Sequence, residues 1–226
     1  MSDLEKIPLV DLVGQYQRYK EELDTAIHKI LDTGAFIGGK TVKDFEAAFA
    51  QFCGTKYSVG VGNGTDALYL IFRALGLGQG DEVIVPANTF IASAEAIGMT
   101  GATPVFVDVD PDTALIDAKC AADAVTDRTK AILPVHLYGQ LVPMEPILEL
   151  ARKHNFHVIE DSAQAHGAER NGTRAGAHGI ASGFSFYPAK NLGAWGDGGA
   201  MVTSDTNLYE KVKKIRNYGQ EKKYFQ

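Results

Sequence analysis

The sequence has little cysteine and no long hydrophobic run. Its 226 residues include two cysteines, Cys53 and Cys120, which form no CxxC or Cys/His spacing. This pattern argues against a disulfide framework and against a zinc site. The longest apolar run, residues 67–72, is far shorter than the about 20 residues that a membrane-spanning helix needs. We therefore expect no membrane partner and no bound metal.

The two ends of the chain also lack targeting and nucleic-acid signals. Residues 1–5 have neither the basic start nor the apolar core of a signal peptide, which predicts a cytoplasmic protein. The net charge is −6, yet residues 206–226 carry six Lys or Arg against two Glu. Because Leu208, Val212 and Ile215 have helical spacing, a solvated helix face is the simpler interpretation of this basic segment. We expect no nucleic-acid partner.

Short β-branched runs alternate with helical patterns along most of the chain. Two amphipathic helices come first, one indicated by Leu23, Ile27, Ile30 and Leu31 and the next by Val42, Phe45, Phe49 and Phe52. Apolar runs follow at 82–86, 104–109, 130–136 and 156–161, with helical stretches at 88–99 and 143–155. Continuous apolar strands between helices are typical of a parallel sheet covered on both faces. The predicted fold is α/β, an α/β/α sandwich with a mainly parallel sheet.

Ligand sites of such sheets lie beyond the carboxyl ends of the strands. The stretch "GVGNGTDAL", residues 60–68, ends a probable strand in glycines, and we place the start of the next helix at Thr65 or Asp66. Backbone N–H groups at a helix start bind anions, so Gly64 and Thr65 are candidates for holding a phosphate. A dinucleotide loop would need glycine where Thr65 stands. A plain glycine turn remains the alternative.

Two ionisable residues stand in unusual surroundings. Asp161 directly follows the apolar run of "HVIED", and Lys190 lies in the small-residue stretch "SFYPAKNLGAWGDGG". A carboxylate at a buried strand end needs a partner. Asp161 is therefore interpreted either as the cap of a following helix or as the partner of a cationic ring nitrogen. For Lys190 alone, an ordinary surface lysine is the default interpretation.

Together, a phosphate cradle, a buried carboxylate and a lysine in a small-residue loop fit pyridoxal 5'-phosphate. This cofactor takes a lysine as its Schiff-base partner, and an aspartate keeps its pyridine nitrogen protonated. A pocket of low polarity lowers the pKa of a lysine, as a nucleophile or base requires. The triple-Asp run "DVDPDT" lacks the later glycine and glutamate of a calcium loop and is interpreted as a turn.

Several stretches resemble the DegT/StrS-type nucleotide-sugar aminotransferases, which are fold type I pyridoxal-phosphate enzymes. The resemblance rests on "PLVDLVGQY", "GNGTDAL", "VIVPANTFIASAEAI", "GATPVFVDVDPDT", "ILPVHLYGQ", "IEDSAQAHGA" and "SFYPAKNLGAWGDGGAMVTSD". These stretches cover nearly the whole chain in the family's order. The resemblance implies N-terminal helices followed by an aspartate-aminotransferase-like large domain over residues 1–226. The family's smaller C-terminal domain would then be absent from this chain.

The resemblance also assigns roles to individual residues. Lys190 would bond to the cofactor and carry the proton, Asp161 would pair with the ring nitrogen, and Gln164 would lie close to the ring hydroxyl. The remaining assignments are Phe90 stacked on the ring, Gly64, Thr65 and Ser185 on the phosphate, and Tyr187 towards the substrate.

The activity implied is transfer of an amino group from glutamate to a nucleotide-linked keto-sugar, with 2-oxoglutarate as the second product. The form "GNGTDAL" favours amination at C3 of a dTDP- or UDP-linked sugar over C4. A homodimer with its active site at the interface is expected of the complete protein. Two alternatives stay open: another fold type I aminotransferase, and a non-catalytic regulator that binds the cofactor or a nucleotide-sugar.

Overall fold

The computed structural model describes residues 8–220, which are divided into two units between Asp44 and Phe45. The first unit contains helix α1, Leu12–Thr33. Asp11 caps its start by accepting a hydrogen bond from the backbone N–H of Gly14 at 2.8 Å. Helix α2, Gly39–Cys53, follows in sequence. The two predicted amphipathic helices are thereby confirmed.

The second unit is built on a seven-stranded sheet. Its strands are β1 (Tyr57–Val61), β2 (Glu82–Pro86), β3 (Thr103–Val107), β4 (Thr129–Ile132), β5 (His157–Asp161), β8 (Ala181–Ser185) and β9 (Gly199–Thr203). A two-stranded ribbon is formed by β6 (Glu169–Arg170) and β7 (Thr173–Arg174). The helices are α3 (Gly64–Leu75), α4 (Ile91–Gly98), α5 (Ala118–Asp123), α6 (Met144–His154) and α7 (Thr206–Arg216), with a short 3₁₀ turn at Leu137–Gly139.

The strand order is β1-β9-β8-β5-β4-β2-β3. The neighbours from β3 to β8 run parallel, whereas β9 is antiparallel to both β8 and β1. The last strand in sequence thus lies between the first strand and the rest of the sheet. The prediction of a mainly parallel sheet is confirmed.

Side chains of the central strands alternate between two apolar cores. On β2, Val83 and Val85 pack with α3, α4 and α7, whereas Ile84 packs on the opposite face with α5 and α6. This period of two, in strands whose residues are buried throughout, is expected when helices cover both faces. The α/β/α sandwich is therefore confirmed.

The apolar run 130–136 differs from its prediction, because the strand β4 ends at Ile132. Pro134 has no N–H to donate to a ladder, which interrupts regular pairing there. The chain nevertheless stays beside β5, since Asp161 N donates to the Pro134 carbonyl at 2.9 Å. This continuation leads residues 135–137 to the same sheet edge as Asp161.

Helix α7 confirms the helical interpretation of the basic segment as far as Arg216. Residues 221–226 of that segment lie outside the described part of the chain. Between residues 8 and 220, no helix combines the length and the apolar character that crossing a membrane requires.

Candidate active site

A pocket of about 480 Å³ opens at the carboxyl edge of the parallel strands. Its walls come from the start of α3, the start of α4, the ends of β5 and β8, and the segment that joins β8 to β9. All the residues that the sequence singled out for the site line this pocket: Gly64, Thr65, Phe90, Asp161, Gln164, Ser185, Tyr187 and Lys190. The sheet topology explains the convergence, because carboxyl ends of parallel strands meet at one edge.

The stretch 60–68 forms a strand end and a capped helix start. Helix α3 begins at Gly64, one residue before the predicted positions, because the Asn63 side chain caps it by accepting from Asp66 N at 2.8 Å. A Cβ atom on Gly64 would lie 2.8 Å from the Cβ of Ser185. Glycine therefore lets the N-terminus of α3 approach the end of β8. Residues 64–75 are helical, as predicted, and the phosphate role of Gly64 and Thr65 stays a prediction.

Asp161 ends β5 with its side chain directed into the pocket, and the residue is only 6% exposed. Its carboxylate accepts two hydrogen bonds, from Ser93 Oγ at 2.6 Å and from Ala163 N at 3.1 Å. Turns rather than a helix follow it, so Asp161 is not a helix cap. An ionised carboxylate offers about four acceptor sites. The residues that the structure describes use two of them, which leaves capacity for a donor in the pocket.

The preceding residue, Glu160, faces the other way and is completely buried. Its two oxygens accept from His136 Nε2 at 2.9 Å and from three backbone N–H groups, those of Gly176, His178 and Gly179, at 2.7–2.9 Å. Burial by itself would raise the pKa of Glu160, but the His136 hydrogen bond and the backbone donors hold this pKa below its ordinary value. Glu160 is thus an ionised structural group with its acceptor sites filled.

Gln164 is oriented by a strained turn. Its Oε1 accepts from the backbone N–H of Tyr138 at 2.7 Å. Tyr138 has φ 56°, a left-handed conformation that is uncommon for residues with a side chain. Since the Tyr138 ring is 83% exposed, ring packing contributes little to holding this conformation. The hydrogen bond leaves the amide nitrogen of Gln164 available to donate elsewhere.

Two backbone hydrogen bonds close the loop that carries Lys190. Lys190 N donates to the Tyr187 carbonyl at 2.8 Å, and Ala194 N donates to the Phe186 carbonyl at 2.8 Å. A Cβ on Gly193 would lie 2.2 Å from the Pro188 carbonyl oxygen, so the loop can close only with glycine there. Lys190 is half-buried in this loop.

Aromatic residues stand at the pocket and behind it. Phe90 and Tyr187 line the pocket and are 71% and 57% exposed. Behind the loop, the His166 ring lies 5.3 Å and 5.6 Å, between centroids, from Phe184 and Phe186. Burial lowers the pKa of His166 to about 4, although the Ser185 backbone and the Asn191 side chain oppose this shift. His166 is accordingly neutral near pH 7.

The sequence reasoning missed Ser93, the buried hydroxyl that contacts Asp161. Ser93 belongs to a helical stretch of small residues, and nothing in its spacing distinguishes it from a core position. A weak sequence signal for Ser93 as a site residue is its position three residues after Phe90, which itself follows a predicted strand. Among residues 8–220, no group of three or more His, Cys, Asp or Glu side chains is arranged to hold a metal ion.

Comparison with known proteins gives close relatives. The dTDP-3-amino-3,6-dideoxy-alpha-D-galactopyranose transaminase of Aneurinibacillus thermoaerophilus is 55% identical over 218 residues, which are 96% of this chain and 60% of that relative. The crystal structure of S. venezuelae DesV in complex with a ketimine intermediate matches with a TM-score of 0.95 and 49% identity, over 97% of this chain and 59% of that one.

A third similar protein, NtdA from Bacillus subtilis with bound cofactor PMP, matches with a TM-score of 0.87 and 34% identity, over 94% of this chain and 48% of that one. The chain thus spans about half to three fifths of the length of these relatives. The family described as DegT/DnrJ/EryC1/StrS aminotransferases matches residues 17–226. The chain belongs to the DegT/DnrJ/EryC1/StrS aminotransferase family.

Proposed function

We propose that this chain is the cofactor-binding part of a pyridoxal-phosphate-dependent aminotransferase that transfers an amino group from glutamate to a nucleotide-linked keto-sugar. Family membership supports the reaction class. The name of the Aneurinibacillus relative supports a dTDP-linked sugar and amination at C3. The NtdA structure, with its bound PMP, supports the cofactor, because PMP is the amine form of pyridoxal phosphate.

The half-satisfied carboxylate of Asp161 is the observation that carries the proposal. A buried carboxylate with open acceptor sites is costly unless a donor fills them. The protonated ring nitrogen of pyridoxal phosphate is such a donor, and its positive charge strengthens the hydrogen bond. Asp161 lines the same pocket as Lys190. The pocket therefore offers both the amine and the carboxylate that this cofactor requires.

The start of α3 fits the phosphate group. The free N–H groups of a helix N-terminus, together with the helix dipole, favour an anion. Gly64 and Thr65 supply the first N–H groups of α3, and Ser185 lies beside them with its hydroxyl at the pocket wall. In this proposal these three residues bind the phosphate.

When bound, the cofactor supplies an aldehyde that accepts the amino group and a ring that takes up electrons. Lys190 binds the cofactor through Nζ and afterwards holds and moves the proton at that atom. Asp161 keeps the proton on the ring nitrogen. Gln164, with Oε1 held by Tyr138 N–H, turns its amide nitrogen towards the ring hydroxyl. Phe90 stacks on the ring, and Tyr187 contacts the substrate.

The first test of the proposal is the absorbance spectrum of the purified protein with added pyridoxal phosphate, before and after glutamate. The unaltered protein should show the visible band of the bound cofactor, and glutamate should remove it. Lys190→Ala should not form the normal band, whereas Lys153→Ala, which alters an exposed lysine on α6, should behave as the unaltered protein does. A protein that stays colourless with added cofactor would contradict the proposal.

The acceptor is tested by turnover of dTDP- and UDP-linked 3-keto-sugars with glutamate. Amination of these sugars is expected, with 2-oxoglutarate formed in equal amount. Turnover of keto acids alone would indicate a different fold type I aminotransferase, and cofactor binding without turnover would indicate a regulator. We further propose that the complete protein is a homodimer with the site at its interface, which sedimentation at several concentrations would test.

A further inference from the structure

Three polar side chains in the wall of the pocket form a short hydrogen-bonded chain. Thr89 Oγ1 lies 2.8 Å from Ser93 Oγ, and Ser93 Oγ lies 2.6 Å from Asp161 Oδ2. Thr89 and Ser93 both line the pocket, although Ser93 is only 1% exposed. Ser93 projects from the first turns of α4, a helix whose other buried residues are apolar. A hydroxyl buried in such surroundings requires hydrogen-bond partners, and Asp161 and Thr89 supply them.

The directions of these hydrogen bonds follow from the number of protons. An ionised carboxylate only accepts, so Ser93 Oγ donates its single proton to Asp161. Ser93 is then an acceptor towards Thr89, and Thr89 donates its own proton to Ser93. Thr89 Oγ1 is left with acceptor capacity alone on its pocket side. The Thr89 hydroxyl therefore offers no proton to a group bound in the pocket.

Ser93 also fixes which carboxylate sites of Asp161 remain open. Ser93 occupies one site on Oδ2, and Ala163 N occupies one on Oδ1. Each oxygen therefore has one contact that restrains rotation of the carboxylate about its Cβ–Cγ bond. A side chain held at both oxygens presents its remaining acceptor sites in a fixed direction. Loss of the Ser93 contact would leave one oxygen unrestrained.

We propose that Ser93, supported by Thr89, is a positioning residue that holds the Asp161 carboxylate in line with the ring nitrogen of the cofactor. The inference rests on the proposed function, since it needs a cofactor ring opposite Asp161. It assigns to α4 a part in the site through a residue whose hydroxyl donates to Asp161.

The test compares Ser93→Ala with Ser182→Ala. Ser182 is also a fully buried serine, and its Oγ contacts Ser162 Oγ at 2.8 Å and the Glu160 carbonyl at 2.9 Å. Both variants remove a buried hydroxyl, and Ser182 does not line the pocket. Three quantities are measured for each variant: the unfolding midpoint without cofactor, the Kd for pyridoxal phosphate, and the ¹⁵N chemical shift of the ring nitrogen in labelled cofactor.

We expect both variants to lower the unfolding midpoint to a similar extent. Ser93→Ala should also raise the Kd about tenfold, because a carboxylate restrained at one oxygen alone is less well aligned with the ring nitrogen. Its ¹⁵N resonance should move from the protonated position towards that of neutral pyridine. Ser182→Ala should leave the Kd and the resonance unchanged. Thr89→Val should move both quantities in the same direction as Ser93→Ala, but less.

An unchanged ring-nitrogen resonance and Kd in Ser93→Ala would overturn the inference, even with a lowered unfolding midpoint. Failure of the proposed function gives a different result, because the unaltered protein would then bind no cofactor. A protonated ring nitrogen in the unaltered protein and in Ser93→Ala alike would retain the proposed function and refute the role of Ser93.

Discussion

Glu160 and Asp161 are consecutive residues on β5, both carboxylates, and both nearly excluded from solvent. Because side chains alternate along a strand, they point to opposite sides of the sheet. Glu160 accepts four hydrogen bonds from His136 and the backbone of 176–179. Asp161 accepts two. Burial is thus common to both carboxylates, whereas unused acceptor capacity facing the pocket distinguishes Asp161, which supports its proposed role.

The largest expected effect of a substitution at either carboxylate is the loss of stability that follows removal of Glu160. Glu160→Ala would leave the His136 imidazole and three backbone N–H groups without their acceptor inside the protein. Each buried donor left unsatisfied costs about 1–3 kcal/mol, and four donors are affected, so the total loss is at least about 3–5 kcal/mol. We expect a fall of that size in the free energy of unfolding, measured with urea. Glu149→Ala, at an exposed position on α6, should change it by less than about 0.5 kcal/mol. Equal effects would contradict the structural role of Glu160.

Asp161→Asn should show the opposite pattern. Asparagine keeps an acceptor for Ala163 N, and Ser93 can reverse its hydroxyl to accept from the new amide. The free energy of unfolding without cofactor should therefore change by less than about 1 kcal/mol. The Kd for pyridoxal phosphate should rise about 10- to 100-fold, because a hydrogen bond to a charged group contributes about 1.5–3 kcal/mol. Destabilisation comparable to Glu160→Ala would erase the distinction between the two carboxylates.

Acid unfolding separates the contribution of Glu160 from that of the buried His166, because the two side chains titrate over different pH ranges. The pKa of His166 falls from its ordinary 6.5 to about 4, so folding favours its neutral form. Its contribution to stability is complete above pH 6.5 and is lost as the pH falls towards 4, by about 1–2 kcal/mol at pH 5. The pKa of Glu160 is held below its ordinary 4.5. Its contribution is complete above pH 4.5 and is lost as the pH falls through its lowered pKa.

His166→Phe should therefore flatten the loss of stability between pH 6.5 and 4.5 and leave the loss below pH 4.5. Part of the slope remains in this variant, since burial also lowers the pKa of His157. Urea unfolding at several pH values measures the effect. An unchanged slope between pH 6.5 and 4.5 would show that His166 is not kept neutral by its burial.

The smallest expected effect concerns the start of α3, which lines the same pocket as Asp161. Gly64→Ala would place a methyl group 2.8 Å from Ser185 Cβ, which pushes the α3 N-terminus away from Ser185. A tenfold rise in the Kd for pyridoxal phosphate is expected, about 1.4 kcal/mol. Gly98→Ala is the matched control, because a Cβ on this helical glycine meets nothing within 4 Å. A Kd equal to that of the control would contradict a close phosphate site.

The central strands and most helices could be predicted because their signals are local. Runs such as 82–86 are apolar and β-branched, and the spacing of residues 143–155 is helical. The strands β8 and β9 were missed, since "ASGFS" and "GAMVT" are rich in small residues and have little β propensity. Packing favours glycine at 183 instead, because a Cβ there would lie 2.8 Å from a methyl group of Leu68, whose side chain would have to shift. Such a requirement is visible only in three dimensions.

The residues of the site also divide into those that the sequence signals and those that only the fold reveals. Asp161 and Lys190 stand out in the sequence because a charged residue interrupts apolar or small residues. Ser93 does not, because a serine in a helix of small residues is compatible with a plain core position. Its contact with Asp161 depends on the approach of α4 to the end of β5, which is set by the fold and not by neighbouring residues. Three of the donors that fill the acceptor sites of Glu160 are likewise distant in sequence, since they are backbone N–H groups 16–19 positions later.

The position of β9 between β1 and β8 also has a consequence for how the protein is made. Residues 57–61 leave the ribosome early, but their partners on β9 are residues 199–203. Closing so long a loop is slow, because its entropy must be lost before the pairing is formed. The start of α3 follows β1, and the Lys190 loop joins β8 to β9. Both parts of the pocket therefore depend on the pairing of β9 with its two neighbours. During synthesis, we expect the pocket to be completed as a late event, after the strands from β2 to β5 have assembled.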